Sequence, residues 1–99
     1  MLFSIISEDV NNSLPIRKKE REKHLKRLKK LAKEGRLIIA GPSPAVESEN
    51  PGDRGFTGSI VIAEFDTLKN ANEWANSDPY MTGGVYAKVV VKPFKKVLP

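Results

Sequence analysis

The sequence predicts an α+β fold: one antiparallel four-stranded sheet with two helices packed on a single face. Three observations predict it. Four runs rich in Val, Ile and Phe, at residues 2–7, 37–40, 59–65 and 85–91, read as strands. Two stretches with helical spacing separate them, a long one over 17–36 and a short one over 68–76. The resulting order, β-α-β-β-α-β, is that of two split βαβ halves, the ferredoxin-like sandwich, and all 99 residues are read as one domain.

Each element has its own warrant. Residues 2–7 are β-branched and aromatic, and the acidic and Asn-rich turn residues Glu8, Asp9, Asn11 and Asn12 end them. Ser13 is placed to cap the long helix, with Pro15 in its first turn, where a missing N–H does no harm. Ile16, Leu25, Leu28, Leu31 and Ala32 carry its apolar spacing and Gly35 stops it. Arg17, Arg21 and His24 lie at i, i+4 and i+7 on the stripe that Leu28 and Leu31 continue. Residues 37–40 read as a short buried strand leading into a turn, Gly41-Pro42-Ser43-Pro44, and a polar loop of roughly 15 residues, long for so small a domain. Asp66 or Thr67 opens the second helix, with Leu68, Ala71 and Ala75 facing inward and Trp74 beside them. Asp78 before Pro79 ends it, because the proline ring disfavours the α conformation at the preceding residue. In the last strand, Pro93 marks an edge or an exit from the sheet.

Composition narrows the function classes. The chain has no cysteine and a single histidine, which removes disulfides and thiolate metal sites and argues against structural zinc; neither a metal nor a cofactor is indicated. No apolar run approaches the length of a membrane span, and the apolar N-terminus lacks the basic residues of a signal peptide, so a cytoplasmic protein is expected. Residues 17–36 hold eleven Lys and Arg against three acids, a local charge of +8 in a chain of net +5. Such a stretch reads first as a solvated helix face. It has no aromatic residue for base stacking and no groove-reading face, which argues against nucleic acid as a partner. The sheet face that carries no helix alternates in Val and Ile. That predicts self-association, two sheets pairing face to face into a barrel-like dimer.

The pattern Arg17-x-x-x-Arg21-x-x-His24-Leu25, then Gly35-Arg36-Leu37 and Ala40-Gly41-Pro42, resembles the YciI-like (YCII-related) family. The resemblance continues through Gly55-Phe56-Thr57-Gly58-Ser59, Trp74, Asp78-Pro79-Tyr80, Gly84-Val85-Tyr86 and Lys92-Pro93-Phe94, and so covers essentially the whole chain. It implies a dimeric α/β barrel of ferredoxin-like halves, with a site centred on a histidine and an aspartate. Those two map onto His24 and Asp78, with Arg21 and the Gly41-Pro42 turn nearby. Some relatives look like small dehalogenase- or lyase-type enzymes of aromatic breakdown, and related barrels bind small aromatic molecules.

Two functional classes follow. In the first, His24 and Asp78 form a general acid–base pair of a small cofactor-independent lyase-, dehydrohalogenase- or hydrolase-like enzyme acting on a small aromatic or acidic molecule. A carboxylate on one imidazole nitrogen fixes the tautomer and makes the other a better base. Arg21 would bind an anionic group, while Gly41, Pro42, the backbone amide of Ser43 and the ring of Tyr80 would line the pocket. In the second, the dimeric barrel only holds a small ligand. Blander readings stand beside both. A lone histidine on an apolar stripe is commonly a hydrogen-bonded core residue, and Asp78 can be a simple helix stop. Arg17 and Arg21 can pair with Glu20 or other surface acids, Trp74 reads as core, and Tyr80 and Tyr86 suit interface packing.

Overall fold

The computed structural model describes residues 1–99. Strand β1 (Leu2–Asp9) pairs antiparallel with β3 (Phe56–Glu64) on one side and β4 (Tyr86–Phe94) on the other. Strand β2 (Leu37–Pro44) extends the sheet beyond β3, giving the order β2-β3-β1-β4. Helices α1 (Leu14–Lys33) and α2 (Leu68–Asn76) and a single added turn, α3 (Pro79–Thr82), complete the ferredoxin-like α+β sandwich.

Register decides which side chains meet. Ile5 stands opposite Val61 on β3 and Val91 on β4, so these three point to one face. Phe3, Ile5, Val61 and Ala63 form the core there with Leu28 and Leu31 of α1 and Ala71 and Ala75 of α2. Both helices therefore cover the same side. The opposite side is apolar and bare: Ile6 pairs with Ile60 and Val90, and Ile6, Ile39 and Ile60 are 41%, 59% and 43% exposed.

Several local expectations change. Helix α1 starts at Leu14, directly after Ser13 and with Pro15 in its first turn, as expected. Ser13 holds the N-cap position, but its hydroxyl caps nothing; it donates to Asp9 Oδ2 at 2.5 Å, and its backbone is αR (φ −72, ψ −16) instead of the extended conformation typical of a capping residue. The C-terminus behaves as expected. Gly35 sits at φ +74, and the N–H groups of Arg36 and Gly35 reach back to the Leu31 and Ala32 carbonyls, both at 3.0 Å. Ala32 and Leu68, expected to face inward, are exposed.

Residues 41–44 are not a turn but the second half of β2, and β2 is an edge strand rather than a buried one. An edge leaves half of its N–H groups without a ladder partner, so Pro42 and Pro44 are tolerated. A register irregularity between Leu37 and Ile39 leaves Ile38 exposed. The loop thus shrinks to residues 45–55, with a 3-10 turn at Gly52–Arg54. Asp78 does not merely stop α2: its carboxylate caps α3, accepting from the Tyr80 N–H at 2.8 Å.

Gly58 lies tight against the β1 backbone. A Cβ there would stand 2.2 Å from the Ser7 carbonyl oxygen, which is backbone and cannot swing away. Gly58→Ala is expected to cost about 1–3 kcal/mol by forced strand separation, read as a lower urea midpoint. An unchanged midpoint would mean that the sheet accommodates the methyl by sliding.

Candidate active site

One face of α1 and the β2–β3 edge of the sheet enclose a cavity of about 330 Å³. Leu14, Arg17, Lys18, Arg21, His24, Leu25 and Leu28 reach it from α1 at helical spacing, with Ala40, Gly41 and Pro42 of β2, Phe56, Ser59 and Val61 of β3, and Tyr80 of α3 opposite. Its volume falls at the lower end of the range for small-molecule pockets.

His24 is the pivot. Its Nδ1 lies 2.8 Å from Asp78 Oδ1 and 3.0 Å from Oδ2, with both side chains almost wholly buried. The carboxylate accepts a hydrogen bond from the Tyr80 N–H, so it acts as the acceptor of this cluster and Nδ1 is assigned the proton. Nε2 is then the lone-pair nitrogen. It has no protein hydrogen-bond partner and is not sealed from solvent, and the ring lines the cavity. The Tyr80 ring stacks flat under the imidazole, with centroids 3.8 Å apart and planes 6° from parallel, so the ring cannot tilt without breaking the stack.

Arg27 stands behind Asp78. Its Nη1 is 3.6 Å from Asp78 Oδ2 and buried without a hydrogen bond, while Nη2 donates to the Trp74 carbonyl at 2.9 Å and the guanidinium lies over the Trp74 ring. Burial lowers the Arg27 pKa, and the negative charge of Asp78 works against that. Trp74 is half-buried and joins the core through Phe65.

A buried ion pair, Arg17 with Asp9, lies beside Tyr80. Arg17 donates from Nε to Asp9 Oδ2 at 2.6 Å and from Nη2 to Asp9 Oδ1 at 2.9 Å, to the Gly58 carbonyl at 2.8 Å and to Ser59 Oγ at 2.9 Å. The expectation of a surface partner such as Glu20 is therefore corrected. Burial opposes the Arg17 charge, but the hydrogen bonds and field of Asp9 outweigh it and its pKa is raised. Phe56, Tyr80 and Tyr86 surround the guanidinium, and the Tyr80 hydroxyl donates to the Arg17 carbonyl at 3.3 Å. Tyr80 and Tyr86, expected at an interface, are buried within the chain and pack edge to face.

Burial raises the pKa of Tyr80, moderated by Arg17 and Arg21. Tyr86 is pushed up to about 12, burial first among the causes, with Asp78 and Asp9 adding to it and Ser59 and Arg17 opposing it. A raised folded-state value means that the neutral phenol is favoured in the fold. That stability is complete below about pH 10 and is lost as pH climbs toward 12. Alkaline unfolding between these limits is the expected result, and Tyr86→Phe should flatten it by up to about 2–3 kcal/mol in urea titrations at stepped pH. Identical pH dependence in the variant would show that another group sets the alkaline limit.

Of the residues picked out from the sequence, His24 and Asp78 meet in a hydrogen bond, and Arg21, Gly41, Pro42 and Tyr80 line the cavity beside His24. Asp78 sits behind the histidine rather than in the cavity wall. Ser43 lies outside the cavity, its carbonyl accepting from Thr57 Oγ1 at 3.5 Å, because β2 continues through it as an extended strand in which successive residues face apart, so it turns away from the face of Ala40 and Pro42. Asp9, Lys18, Phe56 and Ser59 were not singled out as site residues. Asp9 read as a turn acid and Lys18 as one lysine among many. Only the i, i+3, i+7 series from Lys18 through Arg21 to Leu25 could have placed Lys18 on this face. No three His, Asp or Glu side chains gather in a way that could hold a metal ion, and no helix is long and apolar enough to cross a membrane.

The YCII-related domain matches residues 1–95. The chain belongs to the YCII-related family. It is 56% identical over 97 residues to the protein YciI of Escherichia coli O6:H1, covering 98% of this chain and 99% of that one. It is 55% identical over 97 residues to an uncharacterized protein of Haemophilus influenzae, with the same coverage. Among solved structures, this YCII-related chain is similar to TftG, the 5-chloro-2-hydroxyhydroquinone dehydrochlorinase of Burkholderia phenoliruptrix AC1100, in complex with 2,5-dihydroxybenzoquinone. That similarity has a TM-score of 0.83 at 27% identity, over 96% of this chain and 94% of TftG.

Proposed function

We propose that this chain is a cofactor-independent acid–base enzyme in which His24 Nε2 takes a proton from a small ring-bearing molecule and Asp78 holds the imidazole in the required tautomer. One observation carries the reading: Nδ1 bonds a buried carboxylate through both oxygens while Nε2 is left free in a small cavity. An imidazole serving only as a core residue would have both nitrogens engaged or walled in. Asp78 stabilises the imidazolium that forms when Nε2 accepts the proton, and the flat stack on Tyr80 keeps Nε2 aimed at one point. The reaction class is elimination. The base removes a proton, the electron pair moves into the ring system, and a leaving group departs with its bonding pair. The fold shared with TftG supports that class, since a dehydrochlorinase removes a proton and a chloride from one molecule.

The proposal includes a homodimer. The bare sheet face with Ile6, Ile39 and Ile60 is self-complementary in chemistry, and a second copy of the same face would cover it. Sedimentation should give twice the chain mass, and Ile60→Lys should shift it toward the monomer.

The test of the enzymatic reading is chloride release from 5-chloro-2-hydroxyhydroquinone, compared between the wild type and His24→Ala. The alanine variant is expected to lose the release while keeping the fold. Equal release by both proteins would show that Nε2 is not the base.

A further inference from the structure

The cavity wall is unbalanced in charge. Arg17, Lys18 and Arg21 line it together with His24, and no Asp or Glu does. The deepest cation, Arg17, is largely committed within the chain: Asp9, the Gly58 carbonyl and Ser59 use its Nε and Nη2, and only Nη1 is left without a partner. Lys18 and Arg21 differ from it in kind. Both lie on the exposed part of α1 at the cavity rim, and neither makes an ion pair or a side-chain hydrogen bond with the rest of the chain. They stand three residues apart on one helix face, so both ammonium and guanidinium groups can close on the same oxygen. Below them the wall is apolar: Leu14, Leu25, Leu28 and Phe56.

We propose that this cavity selects a small flat organic anion, a single ring bearing a carboxylate or phenolate, with the anionic oxygen held by Lys18 and Arg21 at the rim and the ring edge presented to His24. The proposal deepens the acid–base reading and rests on it for the part that involves His24. Size supports one ring. A dry apolar cavity of about 150 Å³ holds benzene, so about 330 Å³ accommodates one substituted ring with its polar groups. Charge supports the anion. A cationic ring would meet two unpaired cations and no carboxylate in the wall. Guanidinium and ammonium at the rim stay hydrated until the ligand arrives, so they act as a charge filter rather than as buried anchors.

The experiment compares three isosteric rings by calorimetry: benzoate as the anion, benzamide as the neutral form and benzamidine as the cation. Imidazole 15N signals are followed in parallel, and His24 is the only histidine in the chain. Benzoate is expected to bind at least about tenfold more tightly than benzamide, and benzamidine not measurably. The double variant Lys18→Gln, Arg21→Gln should weaken benzoate by roughly tenfold and leave benzamide unchanged, and salt should erase the difference. Binding of 2,4-dinitrophenolate in the same format then separates the two anion sources, phenolate and carboxylate. Equal affinity for all three isosteres, or no effect of the double variant on benzoate, overturns the charge filter. Charge-selective binding that leaves the imidazole signals unmoved would instead retain the anion site and remove His24 from the ligand.

Discussion

Arg17→Met is expected to lower folding stability by about 3–5 kcal/mol, the cost typical of removing one partner of a buried ion pair. The substitution keeps most of the side-chain volume, so the loss is electrostatic and not a cavity. What remains is an Asp9 carboxylate that is 1% exposed and retains only the Ser13 hydroxyl as a donor. The Gly58 carbonyl and Ser59 hydroxyl lose their donor as well. Arg17→Lys should recover little, because a single ammonium cannot reproduce the fork that spans Asp9, Gly58 and Ser59. The check is urea unfolding with a double-mutant cycle. Arg17→Met, Asp9→Leu together should cost less than the sum of the two single changes, since neither charge is then stranded. A loss below about 1 kcal/mol for Arg17→Met would mean that water reaches Asp9 and the pair is not buried in solution.

Asp78→Asn is expected to leave the fold intact and to lower turnover by about three to four orders of magnitude. The amide oxygen can still accept from the Tyr80 N–H, so the cap of α3 survives. The amide NH2 then replaces Oδ2, 3.0 Å from Nδ1, where it opposes a proton on Nδ1 and favours the tautomer with the proton on Nε2. A protonated Nε2 has no lone pair for the substrate, and the base is lost without any loss of packing. The 15N pattern of the lone imidazole reads this directly: Nδ1–H in the wild type and Nε2–H in the variant. Chloride release gives the rate on the same samples. Inverted tautomer with undiminished turnover would sink the His24 base. An unchanged tautomer would show that the carboxylate does not set the proton's position.

The fold class was legible because it follows from short-range pattern. Four β-branched runs and two helical spacings define an order that few topologies satisfy, Gly35 marks a boundary through its positive φ, and Thr67 marks one through its side-chain oxygen, which accepts from the Asn70 N–H. Edge position is different. Whether residues 41–44 turn or extend depends on whether β3 offers partners, and prolines are neutral on that question at a sheet edge. The same limit applied to Ser43, whose direction changed once the segment proved to be strand.

The candidate site divides along the same line. The sequence by itself determined that His24 lies on the inner stripe of α1 with Arg21 beside it, because helical periodicity is a property of neighbouring residues. The resemblance to the family pointed to Asp78 as its partner, 54 residues away. Only the tertiary structure decided that Arg17 is consumed by Asp9, that Tyr80 lies flat under His24, and that Lys18 and Arg21 are left without partners at the rim. The physical reason is that ion pairing in a dry interior depends on which charges the fold brings within about 3 Å, and sequence separation carries almost no information about that distance.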